Sequence, residues 1–484
     1  VHGICFKTGP PGKVGVELEW LVYDVRDPTL AVGPERVAAA LAGLDSPGAL
    51  PAGGCLTTEP GGQLELSSLP AASIGECVAA TSADLAVVRA AMQSAGLCLA
   101  GHGLDPCRPP RRVLDVPRYA AMEMFFDRSG FTGRVMMCST ASVQVCLDAG
   151  EDAGERSYRR RWRVLHAIGP VLVAAFANSP LLQGRATGWR STRYAVWASL
   201  DPSRTSPVID PRRSATGGPG ASDHPGIGAG PSPPPWDARW PDGGVSAGAE
   251  VRAGSGNGHL AEAGPRARWA DYALDAKLMC IRRPGPRAWT VPPGLTFRGW
   301  LRAADAAIAG PRIPVGARGG AAAHGGALPI GAAAAHGGAP PPGAAGLHRP
   351  TIDDLDYHLS TLFPPVRPRG HLELRMIDAQ PGDGWVVPVV IAAAILDDPE
   401  AGQAAMAATQ PLWSAGLDPW LRAARDGPAD RDIAAASRAC FDAAHSALRR
   451  LDTPASLLTA AAEFTERYVQ RDRCPADDLL EEMA

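Results

Sequence analysis

Four short stretches carry charged or amide side chains on one side of an alternating pattern, and that placement makes them candidates for chemistry. Glu17 and Glu19 lie in residues 14–23. Glu59, Gln63 and Glu65 lie in residues 57–67. Gln144 lies in residues 135–147, and Glu373 and Arg375 lie in residues 369–378. Alternate side chains of an extended chain point to opposite faces, so Glu373 and Arg375 point the same way, about 7 Å apart at ~3.4 Å per residue. Two like charges such as Glu17 and Glu19 resist joint ionisation unless a cation sits between them. A carboxylate and a guanidinium on an otherwise apolar strand are costly to bury unless paired or put to use. Taken singly, Glu373/Arg375 reads equally as a structural salt bridge and Glu17/Glu19 as the solvated face of an edge strand. Repetition over four stretches favours a shared site. The carboxylates are too many for one proton-shuttling pair, and they suit oxygen ligation of Mg²⁺, completed by waters and substrate phosphates. Mg²⁺ beside arginine points to phosphoryl transfer, where catalysis is mostly positioning and charge neutralisation.

No G-x-x-x-x-G-K-[ST] loop accompanies these residues; Gly9-Pro10-Pro11-Gly12-Lys13-Val14 is not one. No G-x-G-x-x-G stands at a strand-to-helix junction either, so a nucleotide would have to be held by the sheet itself.

The elements that position the four sets follow from the residues between them. Val16, Leu18 and Trp20 take the face opposite Glu17 and Glu19, and Leu64 and Leu66 the face opposite Gln63, Glu65 and Ser67. Pro60-Gly61-Gly62 marks a turn that permits close backbone approach. Residues 135–147 are predicted as one strand, with Thr140, Ser142, Gln144 and Cys146 on its polar face. In the last stretch Leu372, Leu374 and Met376 alternate with His371, Glu373, Arg375 and Ile377. Ser73 and Glu76 predict a capping box for a helix over about 74–95. Arg156, Arg159, Arg160, Arg161 and Arg163 open a second helix, to about 178, as a solvated face; no stacking aromatics or net positive charge accompany them, which argues against a nucleic-acid patch. Arg193 and Arg204 stand near a loop end, a placement suited to carboxylate or phosphate. Thr351 caps a helix to 362, and the chain beyond Pro388 reads as helical segments 386–397, 399–425, 430–450 and 455–470.

Length and composition bound the rest. The 484 residues carry a net charge of −3 with no block of one sign, so a polyanionic partner is not indicated. The ten cysteines show no C-x-x-C pair, against a zinc or thioredoxin-type site. The apolar run 385–396 is too short to span a bilayer and is interrupted by Pro388. The expectation is a soluble cytoplasmic protein without a membrane partner, although a chain that begins at Val1 makes a missing targeting signal weak support. Residues 210–266 and 307–349 are rich in Gly, Pro, Ser and Ala and read as low-complexity insertions. The second contains a short repeat around His324 and His336. The expected organisation is therefore one catalytic domain in three parts, 1–209, 267–306 and 350–484.

The strings Gly15-Val16-Glu17-Leu18-Glu19, Glu59-Pro60-Gly61-Gly62-Gln63-Leu64-Glu65-Leu66-Ser67, Val143-Gln144-Val145, Phe176-Ala177-Asn178-Ser179-Pro180, Asp271-Tyr272-Ala273-Leu274-Asp275 and Glu373-Leu374-Arg375 resemble glutamate–cysteine ligases of the plant and proteobacterial type. The likeness is greatest to the actinobacterial version that serves ergothioneine biosynthesis. It covers nearly the whole chain outside the two low-complexity stretches. The resemblance implies an α+β fold, a glutamine-synthetase-like antiparallel sheet forming a funnel flanked by helices. It implies ATP-dependent joining of L-glutamate to L-cysteine through a γ-glutamyl phosphate. Mg²⁺ ligands would then come from Glu17, Glu19, Glu59, Glu65 and Glu373, with Glu59, Glu373 and Arg375 catalytic and Arg375 stabilising the transferring phosphoryl group. Gln63 and Gln144 would line the pocket, and Arg193 and Arg204 would hold substrate carboxylate. The family's D-R-T element appears here as Ser203-Arg204-Thr205, and Cys146 stands where plant relatives have Asn. A related ligase using another amine, and a non-catalytic binding protein on the same scaffold, remain alternatives.

Overall fold

A computed structural model describes residues 2–44, 46, 48–208, 264–284, 288–309, 347–414 and 418–483. The two low-complexity stretches lie almost wholly outside the described residues, and His324 and His336 with them.

The fold is α+β, built on one antiparallel sheet. Its strands are β1 (Val14–Asp24), β2 (Cys55–Thr58), β3 (Leu64–Ser67), β4 (Leu97–Ala100) and β5 (Ser142–Asp148). A separate two-stranded hairpin, β6 (Leu181–Leu182) with β7 (Arg185–Ala186), follows, and then β8 (Val366–Pro368) and β9 (His371–Asp378) complete the main sheet. The strand order is β2-β3-β1-β5-β9-β8, with β4 paired to the end of β1. Every pairing is antiparallel.

One face of this sheet is apolar. Val16, Leu18, Leu64, Leu66, Val143, Val145, Leu147, Leu372 and Leu374 are all buried there. Helices Ile74–Ser94, Tyr158–Ala175 and Val386–Asp397 cover it. The last of these is apolar all round and buried from Val386 to Leu396, as a helix packed on every side must be. Pro388 falls in its first turn, where a missing N–H costs no intrahelical bond.

Two expectations change. The predicted strand 135–147 is a helix, Thr132–Ser139, followed by β5 from Ser142. Val135, Met136 and Met137 of that helix pack with Phe125 and Phe126 in a second core, and this burial decides the element. The basic helix is not simply a solvated face either. Arg161 is buried, and it donates to the Asp148 and Leu396 carbonyls and to Asp397.

The register of β9 also departs from strict alternation. Val145 pairs with Leu374, but Val143 pairs with Ile377, so Arg375 and Met376 together oppose Gln144. This bulge puts one extra residue on β9 and exchanges the faces beyond it. Ile377, expected on the polar side, joins Val143 in the core. Asp378 pairs with Ser142 and turns to the polar side instead.

Candidate active site

Antiparallel pairing assembles the polar face from four strands. Glu17 is opposite Ser67 on β3 and Gln144 on β5, Glu19 is opposite Glu65, and Glu373 is opposite Cys146. A hydrogen-bonded chain runs across them. Ser142 Oγ donates to Glu19 Oε2 at 2.9 Å, and Gln144 Nε2 to Glu19 Oε1 at 2.8 Å. Arg375 Nη1 donates to the amide oxygen of Gln144 and to Glu373 Oε1. Arg367 closes the chain with a bidentate pair, Nε to Glu373 Oε2 at 2.9 Å and Nη2 to Oε1 at 2.8 Å.

Charge divides this face into two halves. Burial alone would raise the Glu373 carboxyl, but Arg367 and Arg375 hold it down at about 2. On the other half the carboxylates have few cations and repel one another. Burial and then Glu373 and Glu65 push Glu17 up to about 7. Burial and then Glu19 and Glu65 push Glu59 up to about 8. Glu19 and Glu65 are raised as well, burial again being the main cause. Glu65 is steadied by Thr57 Oγ1 at 2.9 Å and Ser67 Oγ at 3.2 Å.

Glu59 reaches this group from the β2–β3 turn. Its N–H donates to the Gln63 carbonyl, and the Gly62 N–H to the Glu59 carbonyl, both at 2.8 Å. Gly62 has φ of +88°, and a Cβ on Gly61 would lie 2.1 Å from the Cys138 carbonyl oxygen. Gly61→Ala should therefore displace the turn and cost ~1–3 kcal/mol. Urea unfolding would show that loss, and unchanged stability would contradict the packing.

Of the ten residues predicted for the site, Glu17, Glu19, Glu59, Glu65, Gln144, Glu373 and Arg375 come together on this face. Arg193 lies at its edge. Its Nη2 donates to the Arg375 carbonyl at 2.9 Å, and both guanidinium groups lie over the Trp197 ring, at 5.1 Å and 5.5 Å. Gln63 and Arg204 are occupied elsewhere. Gln63 is buried, accepts from the Gly61 N–H and donates to the Met137 and Thr140 carbonyls. Arg204 is wholly buried and donates to Asp201 and to the Thr361 and Lys277 carbonyls. Arg367 pairs with Glu373 and Asp378 faces Arg193, yet neither was singled out. Arg367 stands in Val-Arg-Pro with no alternation to mark it, and the bulge hid Asp378.

The donor set fits a hard divalent cation. Glu17, Glu19, Glu59 and Glu65 supply oxygens only, and their mutual repulsion is what such an ion relieves. Among the described residues no three His, Cys, Asp or Glu side chains already converge to hold one. Binding thus requires the glutamates to swing together. Both Glu373 oxygens already accept from arginines.

An acid half and an arginine half on one sheet face are the equipment for activating a carboxylate by phosphoryl transfer. Residues 13–215 and 249–483 match the model of glutamate–cysteine ligase family 2, and the chain belongs to that family of carboxylate–amine ligases. Within it, the chain is similar to glutamate–cysteine ligase EgtA of Mycobacterium tuberculosis H37Rv, 35% identical over 479 residues, which cover 98% of this chain and 87% of that protein. EgtA of Mycolicibacterium smegmatis is 36% identical over 476 residues, covering 98% and 88%. The chloroplastic glutamate–cysteine ligase of Arabidopsis thaliana is 33% identical over 152 residues, 31% of this chain and 28% of that one. Among solved structures, a glutamate–cysteine ligase from Francisella tularensis in complex with AMP aligns over 99% of this chain and 85% of its own, with 11% identity and a TM-score of 0.48.

Proposed function

We propose that the chain joins the γ-carboxylate of L-glutamate to the amine of L-cysteine with ATP as co-substrate, in the cytoplasm, and that the product feeds ergothioneine biosynthesis. The observation that carries this reading is the continuous chain Ser142–Glu19–Gln144–Arg375–Glu373–Arg367 on one sheet face. The names of the two mycobacterial relatives support the choice of amino acids.

A carboxylate is a poor electrophile because its oxygen leaves badly. Transfer of the γ-phosphoryl group of ATP to one glutamate oxygen releases ADP and creates a good leaving group. The cysteine amine then attacks the acyl carbon, loses a proton and expels phosphate, which carries away the former carboxylate oxygen. Arg375, held by Glu373 and Gln144, would offset charge on the transferring phosphoryl group. Arg193, bonded to the Arg375 carbonyl, would hold substrate carboxylate. Mg²⁺, held by Glu17, Glu19, Glu59 and Glu65, would neutralise phosphate charge and orient the nucleotide. Glutamate labelled with ¹⁸O in its γ-carboxylate tests the route. Label in the released phosphate is expected, and unlabelled phosphate formed alongside the dipeptide would reject it.

The raised carboxyls give a pH signature with a definite sign. Folded Glu17 and Glu59 keep protons up to about 7 and about 8, while the unfolded chain releases them in the ordinary carboxylate range. Without metal these two groups therefore lower stability as pH rises from about 5 towards about 8. Mg²⁺ binds the deprotonated form, so its shift of the melting temperature should grow over the same window. Thermal scans with and without Mg²⁺ measure this, and a shift that is flat with pH or largest at the acid end would contradict it.

A further inference from the structure

Asp378 is the hub of a buried network that the ligation scheme leaves unused. It is 1% exposed, at the end of β9, on the polar side only because the bulge turns it there. Its Oδ2 accepts from the Asn178 N–H at 2.9 Å and from Ser179 Oγ at 2.7 Å. Its Oδ1 accepts from Ser191 Oγ at 3.0 Å and faces Arg193 Nη1 at 3.7 Å. The donors come from two further elements. Asn178 and Ser179 follow helix Tyr158–Ala175, and Ser191 is the N-cap of helix Thr192–Leu200, accepting from the Tyr194 N–H. Asn178 is fixed in turn, its Nδ2 donating to the Gly101 carbonyl at 2.7 Å and the Ala379 carbonyl at 2.8 Å. Even the space is prepared, since a Cβ on Gly103 would lie 2.5 Å from the Asp378 carboxyl carbon.

What this network holds is Arg193. The Arg193 N–H donates to Ser179 Oγ at 3.1 Å, its Nη2 to the Arg375 carbonyl at 2.9 Å, and its ring-facing guanidinium rests on Trp197. Arg193 is 2% exposed, yet its Nε–H has no partner among the described residues. A buried guanidinium donor left open beside Arg375 and Glu19 is a place for an oxyanion, because leaving it unpaired is costly. We propose that Asp378 is a positioning residue, which through Ser179, Ser191 and the Arg193 guanidinium aims the open Arg193 Nε–H at a carboxylate of the amino-acid substrate. This rests on the ligase reading and adds to it the part that sets affinity for glutamate. It also gives the Asn178-Ser179 pair of the Phe-Ala-Asn-Ser-Pro string a task, ordering the hub from the opposite side.

Asp378→Asn separates the arms. With the amide oxygen kept towards Asn178 and Ser179, the new NH₂ faces Arg193 donor to donor and pushes it off its aim. Steady-state kinetics of D378N should show a KM for glutamate raised ~10-fold or more, the size of a lost hydrogen bond to a charged group, with the KM for ATP within ~2-fold. R193K should show the same split, and the double variant should be no worse than the poorer single one, because the two residues act as a unit. Ser179→Ala makes a milder cut, expected at ~3-fold in the same direction, and decides the matter if D378N does not fold. An active wild type with unchanged glutamate KM in these variants, or equal changes in all three KM values, overturns the positioning role and leaves the ligase reading intact. A wild type that ligates nothing removes both.

Discussion

Glu373→Ala is expected to abolish ligation and to cost ~3–5 kcal/mol of stability. The side chain is fully buried, and both its oxygens are engaged, by Arg367 Nε and Nη2 at 2.9 Å and 2.8 Å and by Arg375. Removing it leaves the buried Arg367 and the largely buried Arg375 guanidinium with no charge between them. That penalty is far larger than for any surface ion pair, whose median worth is about 0–1 kcal/mol. The pair also sets acid tolerance. A carboxyl held at about 2 contributes stability above the ordinary carboxylate range and loses it only as pH falls towards about 2. Urea unfolding of Glu373→Ala and Glu373→Gln measures the cost, with Gln the milder because it keeps the shape and one acceptor. Wild-type stability in the alanine variant would show that Glu373 carries no such load.

Arg375→Ala is expected to leave the fold largely intact while kcat falls ~10²–10³-fold. The contrast with Glu373 follows from the partners. Without Arg375, Glu373 still has its bidentate pair with Arg367, so no buried charge is stranded. The chemistry loses more, because Arg375 joins the two halves of the face, donating to Glu373 and to Gln144, which in turn holds Glu19. Arg375→Lys should recover little, since one ammonium cannot span both acceptors and also lie over the Trp197 and Phe363 rings as the planar guanidinium does. Single-turnover measurements separate this from substrate binding. A kcat within ~10-fold of wild type would take Arg375 out of the transition state.

These two effects mark what could be read from residue order. The faces of β1, β3 and β5 were legible because a period of two sorts Glu17, Glu19, Glu65 and Gln144 from Leu18, Leu64, Leu66 and Val143. Helix 386–397 was legible from its apolar, Ala-rich composition despite Pro388, and the Thr351 cap from its acidic first turn, which the structure completes as a capping box with Asp354. The bulge in β9 was not legible. One extra residue leaves no mark in composition, yet it moves Ile377 into the core and Asp378 to the site. Gln63 reads as a polar member of the face, but its amide is consumed in pinning the Glu59 turn to Met137 and Thr140. Arg204 reads as a substrate ligand, but the carbonyls that hold it, from Lys277 and Thr361, are distant in sequence. Arg367 escaped notice because Val-Arg-Pro shows no alternation, although Glu373 is near in sequence. Only the β8–β9 pairing, with Arg367 opposite Glu373, reveals what it is for.

The most direct test of the central claim is to incubate the purified full chain with ATP, Mg²⁺, L-glutamate and L-cysteine, and to follow γ-glutamylcysteine by mass spectrometry together with ADP. The account predicts one ADP per dipeptide and no product when any of the four components is left out. ADP release with another amine but not cysteine would contradict the assigned substrate pair. Folded protein that forms no product and binds no nucleotide would contradict the ligase itself.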